Sequence, residues 1–424
     1  MPSKIVVGCQ WGDEGKGKIV DMLAENSDTI VRYQGGANAG HTVINNQGKF
    51  ILHLLPSGIL RPDKRCILAS GMVIDPEQLI AEISEVESLG LTVTGRLFIS
   101  GRANIVFPYH KYLDGFTEDL RRGRSLGTTR RGIGPAYSDR TARTGLRMYD
   151  LLDEKIFSER LGQVLELKKA CLNGARDHEA FDYDSNYDFG MKWRRDLMEY
   201  ITDTRGIIER ALTSGESVLF EGAQGALLDV DFGTYPYTTS SNTVTGALYT
   251  GCGIAPFIPG EMIGVVKAYT TRVGEGPFPT EIAGGIGDML RENGAEFGAS
   301  TGRPRRCGWL DLTALKYSIK INGINSIALT KADVLDGFEK INACVAYEYN
   351  GQTFDSFPDN QALIPFCKPV YRELEGWRES ISDIKRFRDL PSNLQKYIDF
   401  IQRQLVTEIK YISTGPDRDQ TICR

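Results

Sequence analysis

The alternation of short apolar runs with glycine-rich turns predicts an α/β fold. The expected form is a large, mostly parallel central sheet flanked by helices. It carries a P-loop-like phosphate turn after the first strand, with added helical and small β subregions. Three observations support this. Ile5-Val6-Val7-Gly8 leads into Gly12-Asp13-Glu14-Gly15-Lys16-Gly17-Lys18 and then into the amphipathic Ile19-Val20-Asp21-Met22-Leu23-Ala24. Residues 29–33, 217–221, 264–270, 324–329 and 409–412 are further short apolar runs, each closed by a polar or glycine-containing turn. The length, 424 residues, allows a large core, and one domain across 1–424 is expected.

In order, the first strand ends in the turn at 12–18, and a helix is expected to start at Lys16 or Gly17. Glycines there admit positive φ and turn backbone amides inward, while the helix N-terminus favours an anion. Gly12 to Lys18 fits the first half of a phosphate-binding loop, but Ile19 stands where Ser or Thr would hold a metal. The spacing of Gly8, Gly12 and Gly15 does not fit a dinucleotide fingerprint. Asp13 is the unusual member, because a carboxylate beside phosphate needs a metal or a proton to relieve it. The second strand, 29–33, ends in Gln34-Gly35-Gly36-Ala37-Asn38-Ala39-Gly40-His41, and the two turns are expected to face one crevice. A hairpin follows about Asn45-Asn46-Gln47-Gly48. Asp75-Pro76 opens a helix with Leu79, Ile80, Ile83, Val86 and Leu89 inward, and 96–100 returns as a strand.

Residues 121–147 hold eight arginines, no lysine and one acid, Asp139, a local charge of +7 in a chain of net charge −5. Such a stretch is expected to be a mobile basic loop that orders around an anion. A helical insertion is expected at about 148–215, with helices over 157–172 and 191–212 joined through 180–188. After the strand at 217–221 come a turn at 222–225 and a hydroxyl-rich stretch at 234–243. A further basic loop at 298–308 carries Arg303, Arg305 and Arg306.

Composition narrows the function. Hydrophobic residues are 41% and charged residues 25%, as in ordinary globular enzymes. The negative net charge argues against general nucleic-acid binding. Eight scattered cysteines without a Cys-x-x-Cys pair argue against zinc and for a reducing, cytoplasmic setting. Met-Pro-Ser-Lys runs straight into the first strand, so no signal peptide is expected, and no apolar run is long enough for a membrane span.

Thr330-Lys331-Ala332-Asp333 is similar to the Asn-Lys-x-Asp turn of GTP-binding proteins, with Thr in the Asn place. One carboxylate can accept from both N1–H and N2–H of guanine, and adenine offers no such pair. Lys331 can lay its aliphatic stem over the base. A regulatory GTP switch is the alternative reading. It needs a hydroxyl after the loop lysine and gives no reason for three arginine-rich loops.

Together, residues 10–18, 34–41, 127–137, 221–225, 234–243, 299–309, 330–336 and 413–418 closely resemble the adenylosuccinate synthetase family. The resemblance runs from 10 to 418. It implies GTP-dependent ligation of IMP and L-aspartate through a 6-phosphoryl-IMP intermediate in AMP biosynthesis, releasing GDP and phosphate. It implies Asp13 as general base, His41 as acid, Lys16 on phosphate, and Gln224 as a further catalytic residue. Mg2+ would be held by Asp13 and the Gly40 carbonyl. GTP contacts are implied at Gly12, Asp13, Glu14, Gly15, Lys16, Gly17, Lys18, Gly40, His41 and Thr42. Others are Arg305, Lys331, Ala332, Asp333, Ser413, Thr414 and Gly415. For IMP the same likeness implies Asp13 to Lys16, Asn38, Ala39, Gly40, His41, Thr129, Gln224, Thr239, Val273 and Arg303. Arg143 would reach IMP in the neighbouring subunit of a homodimer. Ala299, Ser300, Thr301, Gly302, Arg303, Pro304 and Arg305 would hold aspartate.

Overall fold

The computed structural model describes residues 3–45, 48–121, 123, 125–172, 178–298 and 302–424. Its centre is a ten-stranded sheet, numbered here in chain order. The strands are β1 Ser3–Gly8, β2 Thr29–Arg32, β3 Arg65–Leu68, β4 Leu97–Ser100 and β5 Ile201–Thr202. They continue with β6 Val218–Gly225, β7 Glu261–Lys267, β8 Ser326–Thr330, β9 Glu408–Ser413 and β10 Thr421–Cys423. Across the sheet the order is β10-β9-β8-β7-β1-β6-β2-β3-β4-β5. Only β10 runs antiparallel, against β9. The chain first builds away from β1 through β2 to β5, returns as β6 beside β1, and then builds the other flank from β7. The turn after β1 therefore lies at the reversal of strand order, where open α/β sheets place their ligands.

Neighbouring residues along β1 enter different cores, as expected of a parallel sheet covered on both faces. Val6 joins a cluster with Ile19, Val20, Leu79, Phe157 and Trp193, whereas Ile5 and Val7 join one with Ile208, Leu248, Leu315 and Ile398. A smaller sheet of Leu310–Asp311, Lys340–Tyr349, Gln352–Phe354 and Lys368–Glu375 lies outside the main one. The hairpin His41–Asn45 with Gly48–Leu52 forms as expected, and Asn46 and Gln47 lie outside the described residues.

Four expectations change. The turn placed at 222–225 is the end of β6. Gln224 takes a positive φ of 58°, and the pairing with β1 shifts register between Val6 and Gly8. The joining segment placed at 180–188 is mostly the helix Tyr183–Leu197, begun by the Asp182 carboxylate accepting from the Ser185 amide at 2.8 Å. The helix expected over 191–212 is two helices. Ile201–Thr202 joins the sheet edge, and Asp203 caps a new helix at Thr204–Thr213. Sequence periodicity could not show this break, because the two helices share an amphipathic pattern. Last, the basic window is not all loop. Ile133–Ala142 is a helix seated by Ile133 and Ala136 against Val73 and Val106. Its one acid, Asp139, is buried against His110 Nε2 at 3.0 Å and also pairs with Lys168. Arg122 and Arg124 of that window lie outside the described residues.

Candidate active site

The helix Lys16–Ala24 starts at Lys16, with Gly15 as a left-handed N-cap offering no side chain. Gly12 and Asp13 also have positive φ, 85° and 59°, so the turn is wound in the region that glycine, Asn and Asp tolerate best. The structure separates the roles of its charged residues. Glu14 is fully buried, and its carboxylate accepts from the amides of Gln10 and Gly12, each at 3.0 Å, and from Lys16 Nζ at 2.5 Å. It braces the turn from inside. Lys18 points away from the turn and donates to Ser413 Oγ and the Gly415 carbonyl, both at 2.7 Å, and to the Gln420 carbonyl at 2.9 Å. It ties the phosphate turn to the turn after β9.

Asp13 alone of the turn's carboxylates remains part-exposed, and its Oδ2 lies 2.8 Å from Arg305 Nε. The second turn meets the first through Gly17. A Cβ there would stand 2.9 Å from the Thr42 carbonyl and 3.0 Å from His41 Cβ, so glycine lets residues 41–42 lie on the helix start. His41 is buried with Nδ1 against the Glu221 carboxylate, and its Nε2 has no partner among the described residues. Burial pushes the His41 pKa below its usual value, against the pull of Glu221. Burial also opposes charge on Glu221, but His41, Arg32 and the Ser57 amide at 2.9 Å outweigh it and keep the carboxylate ionised. The sequence places Glu221 at a strand end and in the 221–225 stretch of the family resemblance, without assigning it a role. A carboxylate inside an otherwise apolar strand was the available signal.

A second group gathers beside it. Gln224 Nε2 donates to Asn38 Oδ1 at 3.1 Å, and Asn38 Nδ2 donates to Thr239 Oγ1 at 3.2 Å. Gln224 Oε1 is buried without a partner among the described residues. Arg131 donates to the Ala37 carbonyl at 2.7 Å, and Gly127 abuts Gly274, bringing the 127–129 stretch beside Val273. Thr128 and Arg303 line one cavity of about 290 Å³. Ala299, Ser300 and Thr301 lie outside the described residues. Arg143 is exposed at the C-terminal end of the helix Ile133–Ala142.

The turn after β8 closes the crevice. Thr330 Oγ1 donates to the Glu14 carbonyl at 2.5 Å, so the Thr in the Asn place bonds the turn after β8 to the turn after β1. Burial raises the Asp333 pKa, while Lys18 and Lys331 pull it down. The Lys331 ammonium is held by the Gly294 carbonyl and the Glu296 carboxylate, each at 2.7 Å. Glu296 was not anticipated, since nothing in Ala295-Glu296-Phe297 marks it.

A family model described as adenylosuccinate synthetase matches residues 5–422. The adenylosuccinate synthetase of Caldanaerobacter subterraneus subsp. tengcongensis is 48% identical over 423 residues, covering 100% of this chain and 99% of that protein. The enzyme of Carboxydothermus hydrogenoformans is 49% identical over 422 residues, with the same coverage. A solved structure of fully ligated adenylosuccinate synthetase from Plasmodium falciparum superposes with a TM-score of 0.92 at 41% identity, covering 99% of each chain. The site at the carboxyl ends of β1, β2 and β8 thus sits in a fold shared along its whole length. This chain belongs to the adenylosuccinate synthetase family.

Proposed function

We propose a division of labour among these side chains for the family's activity, the GTP-dependent ligation of IMP and L-aspartate to adenylosuccinate in AMP biosynthesis. Hypoxanthine O6 is a poor leaving group and must first become a phosphate ester. Asp13 takes the N1 proton, the electrons shift to O6, and O6 attacks the γ-phosphorus while the bond to GDP breaks. His41 donates from Nε2 to the transferring phosphoryl group, with Glu221 holding the ring through Nδ1. The aspartate amine then attacks C6 and phosphate leaves. Lys16 supplies positive charge to the phosphates, and Gln224, Asn38 and Thr239 form a hydrogen-bonded bracket for IMP. What most supports the reading is the convergence of three turns: Asp13 at the first, His41 packed on Gly17, and Thr330 bonded to the Glu14 carbonyl.

Asp13 and the Gly40 carbonyl are hard oxygen donors beside the phosphate turn. That donor set fits Mg2+, which binds through one or two carboxylates plus substrate phosphates. When bound there, the ion neutralises phosphoryl charge. Ser413 and Gly415, bonded to Lys18, and Thr414 between them are assigned to the guanine side with Asp333. No helix among the described residues is long and apolar enough to cross a membrane, and a cytoplasmic setting is our reading of the free cysteines.

The direct test is phosphate release with GTP, IMP and aspartate present, omitting each in turn. Release independent of IMP or aspartate would remove the ligase reading. Asp333→Asn is expected to weaken GTP by about 1.5–3 kcal/mol, the range for hydrogen bonds to a charged group, with ATP affinity little changed. An unaltered GTP affinity by titration calorimetry would dismiss Asp333 as the guanine reader. For Arg143, exposed at a helix end, we assign a role in the site of a second copy. Arg143→Ala should raise the KM for IMP. Mixing it with a site-dead Asp13→Asn chain should recover activity, because a hybrid dimer keeps one intact site. Absence of recovery in mixed dimers would mean unshared sites.

A further inference from the structure

Glu296 follows the helix Gly285–Asn293 and is fully buried. Its Oε1 accepts from Lys267 Nζ at 2.9 Å, from Lys331 Nζ at 2.7 Å, and from the Tyr269 hydroxyl. Its Oε2 accepts from Arg305 Nη1 at 2.7 Å. Three cations from three separate segments thus share one carboxylate. Two of them, Lys331 and Arg305, belong to the substrate-facing set, while Lys267 ends β7 and is buried. The backbone reinforces the arrangement, since the Arg305 amide donates to the Glu296 carbonyl at 2.9 Å.

We propose that Glu296 is a positioning residue that fixes Arg305 beside the Asp13 base and the Lys331 ammonium within the Thr330–Asp333 turn, so that both cations are in place before substrates arrive. The inference rests on the ligase reading above.

The physical case is one of competition for Arg305. Its guanidinium is clamped between two carboxylates, Asp13 on Nε and Glu296 on Nη1. Asp13 must change partners during the reaction, whereas Glu296 is sealed in the interior. When Asp13 turns to IMP, Glu296 is the anchor that keeps Arg305 from following it. Burial alone would disfavour charge on Glu296, but Lys267, Lys331 and Arg305 hold its carboxyl well below the usual carboxylate range. An anion so held is a fixed charge, and a group that must not move is suited to positioning. Removing the charge leaves three cations crowded together, and the two nearest the crevice are the ones free to move towards solvent.

The test compares Glu296→Gln and Glu296→Asp in the full-length protein, by steady-state kinetics with each substrate varied and by thermal melting. For Glu296→Gln the KM for GTP and for L-aspartate should each rise about ten-fold or more, as expected for loss of hydrogen bonds to a charged group. The KM for IMP should stay within about two-fold, because the Asn38, Gln224 and Thr239 bracket lies elsewhere. Glu296→Asp keeps the charge on a shorter arm and should recover part of the loss. Unchanged KM values would overturn the proposal. So would a parallel loss against all three substrates with a lowered melting temperature, failure of both variants to fold, or an Asp variant no better than Gln. If the wild-type protein fails to ligate IMP and aspartate, the parent reading has failed instead. GTP titration of the same variants then still decides the Lys331 arm, with unchanged affinity counting against it.

Discussion

Asp13→Asn is expected to lower turnover by about 10²- to 10⁴-fold, the usual contribution of a positioned general base, while GTP binding is largely retained. The substitution is chosen for its backbone as much as its chemistry. Asp13 has a φ of 59°, a conformation Asn adopts about as readily as Asp, so the turn is not strained by the change. Asn also keeps the volume and an oxygen near Arg305, losing the ion pair but not the contact. Arg305 is buried, but it keeps the Glu296 carboxylate on Nη1 after the change and is not left unpaired. What disappears is a group able to accept the N1 proton at neutral pH. The backbone amides and Lys16, which we assign to the triphosphate, are untouched by the change. The measurement is phosphate release with saturating IMP, GTP and aspartate, beside GTP affinity by calorimetry. Turnover within ten-fold of the parent chain would show that the proton goes elsewhere.

His41→Asn should cost about 10²–10³ in kcat, the scale for deleting one preorganised donor to a developing negative charge. KM values should move little. The asparagine amide can occupy the Nδ1 position and keep the Glu221 contact, so the buried carboxylate is not left unpaired. Only the Nε2 end, which lacks a protein partner among the described residues, is removed. The imidazole is pushed towards its neutral form by burial, yet an arriving phosphoryl group favours the protonated ring that can donate from both nitrogens. A raised KM with unchanged kcat would reassign His41 to ground-state binding.

Part of this site was legible without coordinates because its signals are local. Glycines at 12, 15 and 17 before an amphipathic run point to a strand-to-helix turn, and the helix begins at Lys16 as expected. Thr330 to Asp333 was legible for the same reason, being a short strand with a polar end. Local signals also misled. Aspartates and tyrosines at 180–188 suggest a connection, but Asp182 caps a helix there. In that helix Gly190 lets the Phe157 ring approach where a Cβ would stand only 2.1 Å away, a fit that no periodicity reveals. Gln224 shows the same limit: its glycine neighbours suggested a turn, yet strand pairing carries β6 through them to Gly225.

The strand-to-helix turn at 12–18, the strand end at Thr330 and the arginine excess at 121–147 were readable from contiguous residues, and the family from several short stretches spread between 10 and 418. The tertiary structure decided which charges face inward. Glu14, Lys18, Glu221 and Glu296 are as polar on paper as Asp13, but folding buries all four against partners as far as 402 residues away. A buried ionised group persists only where others satisfy it, and those others are brought together by sheet order rather than by sequence distance.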